Sequence, residues 1–274
     1  MIEFDRLEYT YPCSRHPAIK NLSWQIPVGR RCALIGRNGC GKTTLLRLAN
    51  GLYQPQKGVI RFQGKPLQYN RAALSHLRQN VGLVFQNPEQ QLVATTVSED
   101  IAYGLGNLGV SEKEMRDRVR STLADFELED LAHTPINYLS LGQKKRVSIA
   151  DVMVLSPQLL LLDEPTAYLD PYQVRQLRRM LNQIEAKGTT IAIATHNLDF
   201  VYAWANWVCV VDRGQIVAEG TPERIFRQSE VVKDLGLGRP LIVSLLDALS
   251  QGKHTATDLQ SLQQSLMQIT FQED

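Results

Sequence analysis

An α/β sandwich is the fold class this sequence predicts, on three observations. Short β-rich runs alternate with helical segments up to residue 220, the β signal lapses between Gln86 and Ser156, and no strand pattern follows Gly220. The strand candidates are residues 2–7, 22–26, 31–35, 59–62, 81–85, 159–163, 190–194, 208–211 and 215–219. The last two form a hairpin about Asp212-Arg213-Gly214. The interval of about 87–156 is a helical insertion, with one helix opening on a capping box in which Ser111 and Glu114 satisfy each other's backbone donors. Thr221-Pro222 pairs an N-cap with a proline at N1 and starts a Gln-rich helical extension, residues 221–274, which leaves a core domain of residues 1–220.

Composition narrows the function classes. The chain has 274 residues and a net charge of +2, so no broad basic surface points to nucleic acid. Its hydrophobic share of 43 % is ample for a core and excludes a largely disordered chain. The longest apolar stretches, 152–162 and 200–211, fall short of the roughly 20 residues of a bilayer-crossing helix. Acidic Glu3 and Asp5 argue against a secretory leader, and Cys13, Cys32, Cys40 and Cys209 lack Cys-x-x-Cys spacing, so a cytosolic setting without disulfides or zinc is expected.

Two motifs carry chemistry. Gly36-Arg37-Asn38-Gly39-Cys40-Gly41-Lys42-Thr43 fits G-x-x-x-x-G-K-[ST] between the apolar strand Cys32-Ala33-Leu34-Ile35 and a helix expected at 44–50. Glycines let backbone N–H groups curl around a phosphate, and the helix N-terminus adds its dipole. Lys42 supplies a point charge for the β/γ-phosphates and the Thr43 hydroxyl a ligand for Mg²⁺. The second motif is the run Leu159-Leu160-Leu161-Leu162, a central parallel strand ending in Asp163-Glu164. Carboxylates there face the ligand crevice of an α/β sheet. Asp163 is the candidate Mg²⁺ holder, and Glu164 the general base that polarises an attacking water.

Between these lies Leu139-Ser140-Leu141-Gly142-Gln143, and with it the sequence resembles the ATP-binding subunit of an ABC transporter. The resemblance spans residues 2–220. It implies a P-loop ABC ATPase core, a mixed sheet with an antiparallel β-subdomain, carrying a helical subdomain. It implies that Ser140, Gly142, Gln143 and the following helix N-terminus serve a nucleotide held by a second subunit. Leu141 stands where the family usually has glycine. Residue by residue, Tyr11 matches the aromatic that stacks on adenine, with Tyr9 as the alternative, and Thr44 continues the phosphate loop. Gln86 matches the Q-loop glutamine that senses metal and water. Pro165 to Asp170 matches the D-loop, with Tyr168 in place of a common glycine, and His196 matches the switch histidine at the γ-phosphate.

Three features resemble the energy-coupling-factor subgroup, importers of vitamins and of cobalt or nickel. They are Tyr9-Thr10-Tyr11-Pro12, the stretch from Phe85 to Leu92 with Val97 to Gly104, and Leu235-Gly236-Leu237 with Pro240, Leu245 and Leu249. The resemblance implies a homodimer or a heterodimer with a homologue, a transmembrane coupling subunit and a substrate-capture membrane subunit at the cytoplasmic face, with no nucleic acid. Gln90, Gln91 and Leu92 are candidates for the groove that receives the membrane partner. Leu259, Leu262, Leu266 and Ile269 recur at helical spacing, for intramolecular packing or a dimer contact. A soluble ABC ATPase acting on DNA or the ribosome is the rival class. It usually carries a long coiled coil between loop and signature or two ATPase halves in one chain, and this sequence has neither.

Overall fold

The computed structural model describes residues 1–228, 232 and 234–250. Its frame is two sheets. Strands β1 (Ile2–Tyr9), β2 (Ile19–Gln25), β4 (Lys57–Phe62) and β5 (Lys65–Pro66) form an antiparallel sheet in the order β2-β1-β4-β5. Strands β3 (Arg31–Ile35), β6 (Val81–Val84), β7 (Leu159–Asp163), β8 (Thr190–Ala194), β9 (Trp207–Asp212) and β10 (Gln215–Gly220) form the second, in the order β10-β9-β3-β8-β7-β6. The second sheet is parallel except for the β9–β10 hairpin.

Alternation along the parallel strands divides the core. Cys32, Leu34, Leu159, Leu161, Ala192, Ala194, Cys209 and Val211 pack toward the antiparallel sheet and helix α1 (Lys42–Ala49). Their neighbours Ala33, Ile35, Leu160, Leu162, Ile191, Ile193, Val208 and Val210 join the cluster built with the helices that follow residue 96. That period of two is what a pleated strand buried on both faces requires. Helix α2 (Arg71–Asn80) precedes β6; α3 (Val97–Asn107), α4 (Glu112–Asp125) and α5 (Leu141–Met153) lie between β6 and β7; α6 (Pro171–Ala186) and α7 (Leu198–Trp204) flank β8.

Several sequence expectations shift. Helix α1 starts at Lys42, two residues before its expected onset, so Lys42 and Thr43 occupy its first turn. Strand β6 stops at Val84 and leaves Phe85 in the loop, and β5 was not foreseen. The first hairpin extends to Tyr9 and Ile19 because bulges at Phe4/Leu7 and Leu7/Tyr9 break the alternation from which its length was read. The reciprocal box at Ser111 is corrected: Ser111 caps Glu114 N, but the Glu114 carboxylate pairs instead with Arg118 one turn on. In the segment after β10, Ile225, Phe226, Val232 and Val243 are buried in the helical-side core, and α8 (Leu241–Ser250) is tied to α7 through Leu241 N and Asp199 Oδ1. The leucine pattern at 259–269 lies outside the described residues.

Candidate nucleotide site

Four strand ends deliver the functional side chains to one edge of the sheet. The phosphate loop follows β3, Gln86 follows β6, Asp163 and Glu164 end β7, and Thr195 and His196 follow β8. This is the carboxyl edge, where open α/β sheets bind ligands.

The loop wraps tightly, with Cys40 N donating to Arg37 O at 3.2 Å, and leaves the start of α1 without a side-chain cap. Gly41 caps α1 at φ +112° with no side-chain cap, and a Cβ there would sit 2.7 Å from Ala18 O. A Cβ at Gly36 would lie 2.2 Å from Val211 O, closer than any side chain tolerates. Lys42 is buried, and its ammonium rests on loop carbonyls, donating to Gly36 O at 2.7 Å and Arg37 O at 3.2 Å. Among the described residues it forms no salt bridge. A buried cation held by neutral loop carbonyls and, at 3.9 Å, the Cys40 thiol fits an anionic ligand.

Beside it, Thr43 Oγ1 donates to Asp163 Oδ1 at 3.0 Å. Burial pushes the Asp163 carboxyl above its ordinary pKa, while the Thr43 hydrogen bond and the nearby Arg47 and Lys42 charges pull it back. A hydroxyl, a carboxylate and the Gln86 amide bordering one cleft make an all-oxygen donor set suited to Mg²⁺. Glu164 is buried, with φ +44°, and its backbone N–H donates to Ala194 O at 2.7 Å. Thr195 Oγ1 donates to its Oε2 at 3.0 Å, and Oε1 lies 2.9 Å from His196 Nδ1. With Nδ1 carrying the proton, the exposed imidazole is oriented by the carboxylate.

A cleft of about 430 Å³ is bordered by Tyr11, Asn38, Gly39, Gly41, Lys42, Thr43, Thr44, Gln86, Glu164 and His196. The two tyrosines differ in their relation to it. Tyr9 is buried and stacked on Tyr53, whereas Tyr11 lines the cleft with its hydroxyl 2.8 Å from Thr44 Oγ1. Arg37 is exposed on the loop, and Cys40 turns inward, its thiol raised by burial.

The signature residues lie elsewhere. Ser140 and Gln143 close a reciprocal capping box on α5, and Asp170 and Gln173 close another on α6. Ser140, Gly142, Gln143 and Asp170 border a separate depression of about 180 Å³, so one chain does not bring them to the phosphate cleft. Leu141 sits in the first turn of α5 without positive φ, which explains why a leucine fits where the family usually has glycine. Tyr168 keeps the left-handed conformation, at φ +65°. Leu141 and Tyr168 line one further cleft together with Thr43, Gln86 and Asp163.

Sequence reasoning missed Thr195, which supports the carboxylate, and Lys145, which is 3 % exposed. Burial pushes the Lys145 ammonium down to about 8, against the pull of Asp163 and Glu164. A polar residue ending the buried run 190–194 was the available signal for Thr195; none marked Lys145 within Lys144-Lys145-Arg146.

Comparison with known proteins places this geometry. The family model for ABC transporters matches residues 19–167. A putative ABC transporter ATP-binding protein of Nostoc sp. is 55 % identical over 93 % of this chain and 94 % of its own length. An energy-coupling factor transporter ATP-binding protein of Methanocaldococcus jannaschii is 38 % identical over 92 % of this chain and 90 % of its own. Among solved structures, CbiO1 of Clostridium perfringens, described as part of the ABC transporter complex CbiONQ, superposes with a TM-score of 0.76 at 38 % identity, covering 90 % of this chain and 98 % of that one. A dimeric ATP-binding cassette bound to ADP and Pi superposes with a TM-score of 0.73 at 25 % identity, covering 81 % and 99 %. The chain thus belongs to the ABC transporter family, as an ATP-binding subunit that hydrolyses ATP.

Proposed function

We propose that this chain is the energy subunit of a membrane importer of the energy-coupling-factor type for a transition-metal ion or a vitamin. It works as a head-to-tail dimer, with itself or a homologue, peripheral at the cytoplasmic face and bound to a transmembrane coupling subunit and a substrate-capture subunit. The relatives named above for energy-coupling factor transport and for CbiONQ support the subgroup. Among the described residues no helix is long and apolar enough to cross a membrane.

One observation carries the catalytic reading: the Glu164 carboxylate, fixed by Thr195 and His196, borders the same cleft as the Lys42 loop. Glu164 takes a proton from the attacking water as its oxygen bonds to the γ-phosphorus and the bond to the β-phosphate oxygen breaks, releasing ADP and phosphate. His196 holds the carboxylate in place and meets the γ-phosphate. Lys42 exchanges its loop carbonyls for phosphate oxygens, and the loop N–H groups from Gly36 to Thr44 cradle them. Tyr11 stacks on the adenine. Thr43, Asp163 and Gln86 would hold Mg²⁺, which when bound neutralises phosphate charge. Ser140, Gly142 and Gln143 serve the partner's nucleotide, with Asp170 beside them.

The test is Glu164→Gln. It should keep ATP affinity, lose roughly 10²- to 10⁴-fold in steady-state hydrolysis, and trap a closed dimer. Near-wild-type turnover would remove Glu164 from the role. Co-purification with membrane proteins, and their identification, tests the importer reading against a soluble ATPase.

A further inference from the structure

Gln86 has no strand to hold it, since β6 ends two residues earlier at Val84. Its backbone is fixed from α5 instead. Lys145 Nζ donates to Phe85 O at 3.1 Å and to Gln86 O at 2.7 Å. The Phe85 N–H donates to Gln91 Oε1 at 3.2 Å, and the Gln91 amide donates in turn to Ser148 O at 2.7 Å and Asp151 Oδ2 at 3.1 Å. Lys144 Nζ pairs with Glu89 Oε1 at 2.8 Å. Lys144, Lys145, Ser148 and Asp151 all belong to α5, so one helix grips the loop from Phe85 to Gln91.

From this geometry we infer that Lys145 is a positioning residue for the hydrolytic step: it ties the main chain of Phe85 and Gln86 to the helix that begins at Ser140. The inference rests on the reading of Gln86 given above. A buried ammonium is expensive to hold in a protein interior, and carbonyl oxygens with the Asp163 and Glu164 charges nearby are what offset that cost here. A neutral side chain of similar length would fill the space but would not grip the loop. Gln86 would then sample positions away from the Thr43–Asp163 pair, and displacements of an ångström are costly to a step that depends on alignment. Because α5 also carries the signature, a shift at its Ser140 end is transmitted to Gln86 in the same subunit. Lys145 thereby links the surface proposed to meet the partner's nucleotide to the chain's own cleft.

The test is a double-mutant cycle on the full-length chain, reading kcat and KM for ATP, with Gln86→Ala, Lys145→Met and the two combined. Lys145→Met should lower kcat roughly 10- to 100-fold and leave KM within about twofold, because the cradle at Lys42 is untouched. In the Gln86→Ala background the same substitution should cost less than about twofold, since the side chain through which Lys145 acts is gone. A full additive loss in that background would show that Lys145 acts by another route and overturn the inference, as would an unchanged kcat in Lys145→Met. An unaltered kcat in Gln86→Ala would overturn the reading of Gln86, a separate result. If Lys145→Met does not fold, Lys145→Leu, which likewise has no donor for the loop carbonyls, enters the same cycle and must show the same loss of kcat and the same non-additivity.

Discussion

The helices α1 and α5 both begin at a motif proposed to serve a nucleotide phosphate, and they begin in opposite ways. Helix α1 has a glycine N-cap in left-handed conformation and no side-chain cap, so its first N–H groups await a ligand. Helix α5 is closed by its own Ser140–Gln143 box, in which Gln143 N donates to Ser140 Oγ and Ser140 N to Gln143 Oε1. The helices are rooted differently as well. Beyond the first turn that holds buried Lys42 and Thr44, helix α1 buries only apolar Leu45, Leu46, Leu48 and Ala49 against the sheets, whereas α5 buries Lys144, Lys145 and Ser148 alongside Val147, Ile149 and Ala150. The first terminus is thus a preformed anion site on an apolar root. The second is satisfied in the isolated chain and gripped by charged side chains, which suits an element that changes partners when a dimer closes.

The largest effect should come from the open terminus. Lys42→Ala removes the cation that the loop holds in reserve, and a lost charge-assisted contact of about 1.5–3 kcal/mol corresponds to roughly 10- to 150-fold weaker ATP binding. Calorimetry on the purified chain reads it directly. An unchanged affinity would mean that the loop's N–H groups suffice without Lys42 and would erase the contrast with α5.

The next prediction asks whether the closed terminus opens toward a partner. Ser140→Arg and Lys42→Ala chains, each inactive alone, should regain activity when mixed, because one composite site of each mixed dimer then has an intact loop and an intact signature. With free exchange, half the dimers are mixed and each has one of two sites, so recovery of up to about a quarter of wild-type ATPase is expected for symmetric twofold pairing. The assay needs the membrane partner present and exchange confirmed. No recovery would place Ser140 in its own subunit's site, or require both sites to be intact. If the native dimer pairs this chain with a homologue, the mixture must be made with that homologue.

The same contrast explains what was legible in the sequence. Strands β3, β7 and β8 fall on their expected boundaries because strands buried on both faces read as unbroken apolar runs. The loop at Gly36, the Asp163-Glu164 pair and His196 were legible because each is contiguous and each ends a strand. The first hairpin was misjudged where Arg6 and Asn21 adopt positive φ, since a bulge shifts the side-chain period without marking the composition. Lys145 was invisible for a different reason: in a run of basic residues only tertiary packing decides which one is buried. Contacts that join α5 to the loop at Gln86 span some sixty positions and leave no local pattern.

The smallest effect concerns the charged root of α5. Asp151 is partly buried near the base of that helix, and desolvation, reinforced by Asp100, pushes its carboxyl up to about 7 despite the hydrogen bond from Gln91. The folded state therefore holds this proton more tightly than the unfolded chain, whose carboxyl titrates near the ordinary Asp value of about 3.9. Its contribution to stability is complete below that value and is lost as pH rises from about 4 through 7. Asp151→Asn keeps an acceptor for the Gln91 amide and removes the charge. It should leave stability at pH 4 nearly unchanged and raise it at pH 8, by about 1–2 kcal/mol once the open side of the group is allowed for. Urea unfolding at the two pH values measures the difference. Equal stability of wild type and variant at pH 8 would show that Asp151 is solvated in the folded chain, and would leave Lys144 and Lys145 as the charged footing of α5.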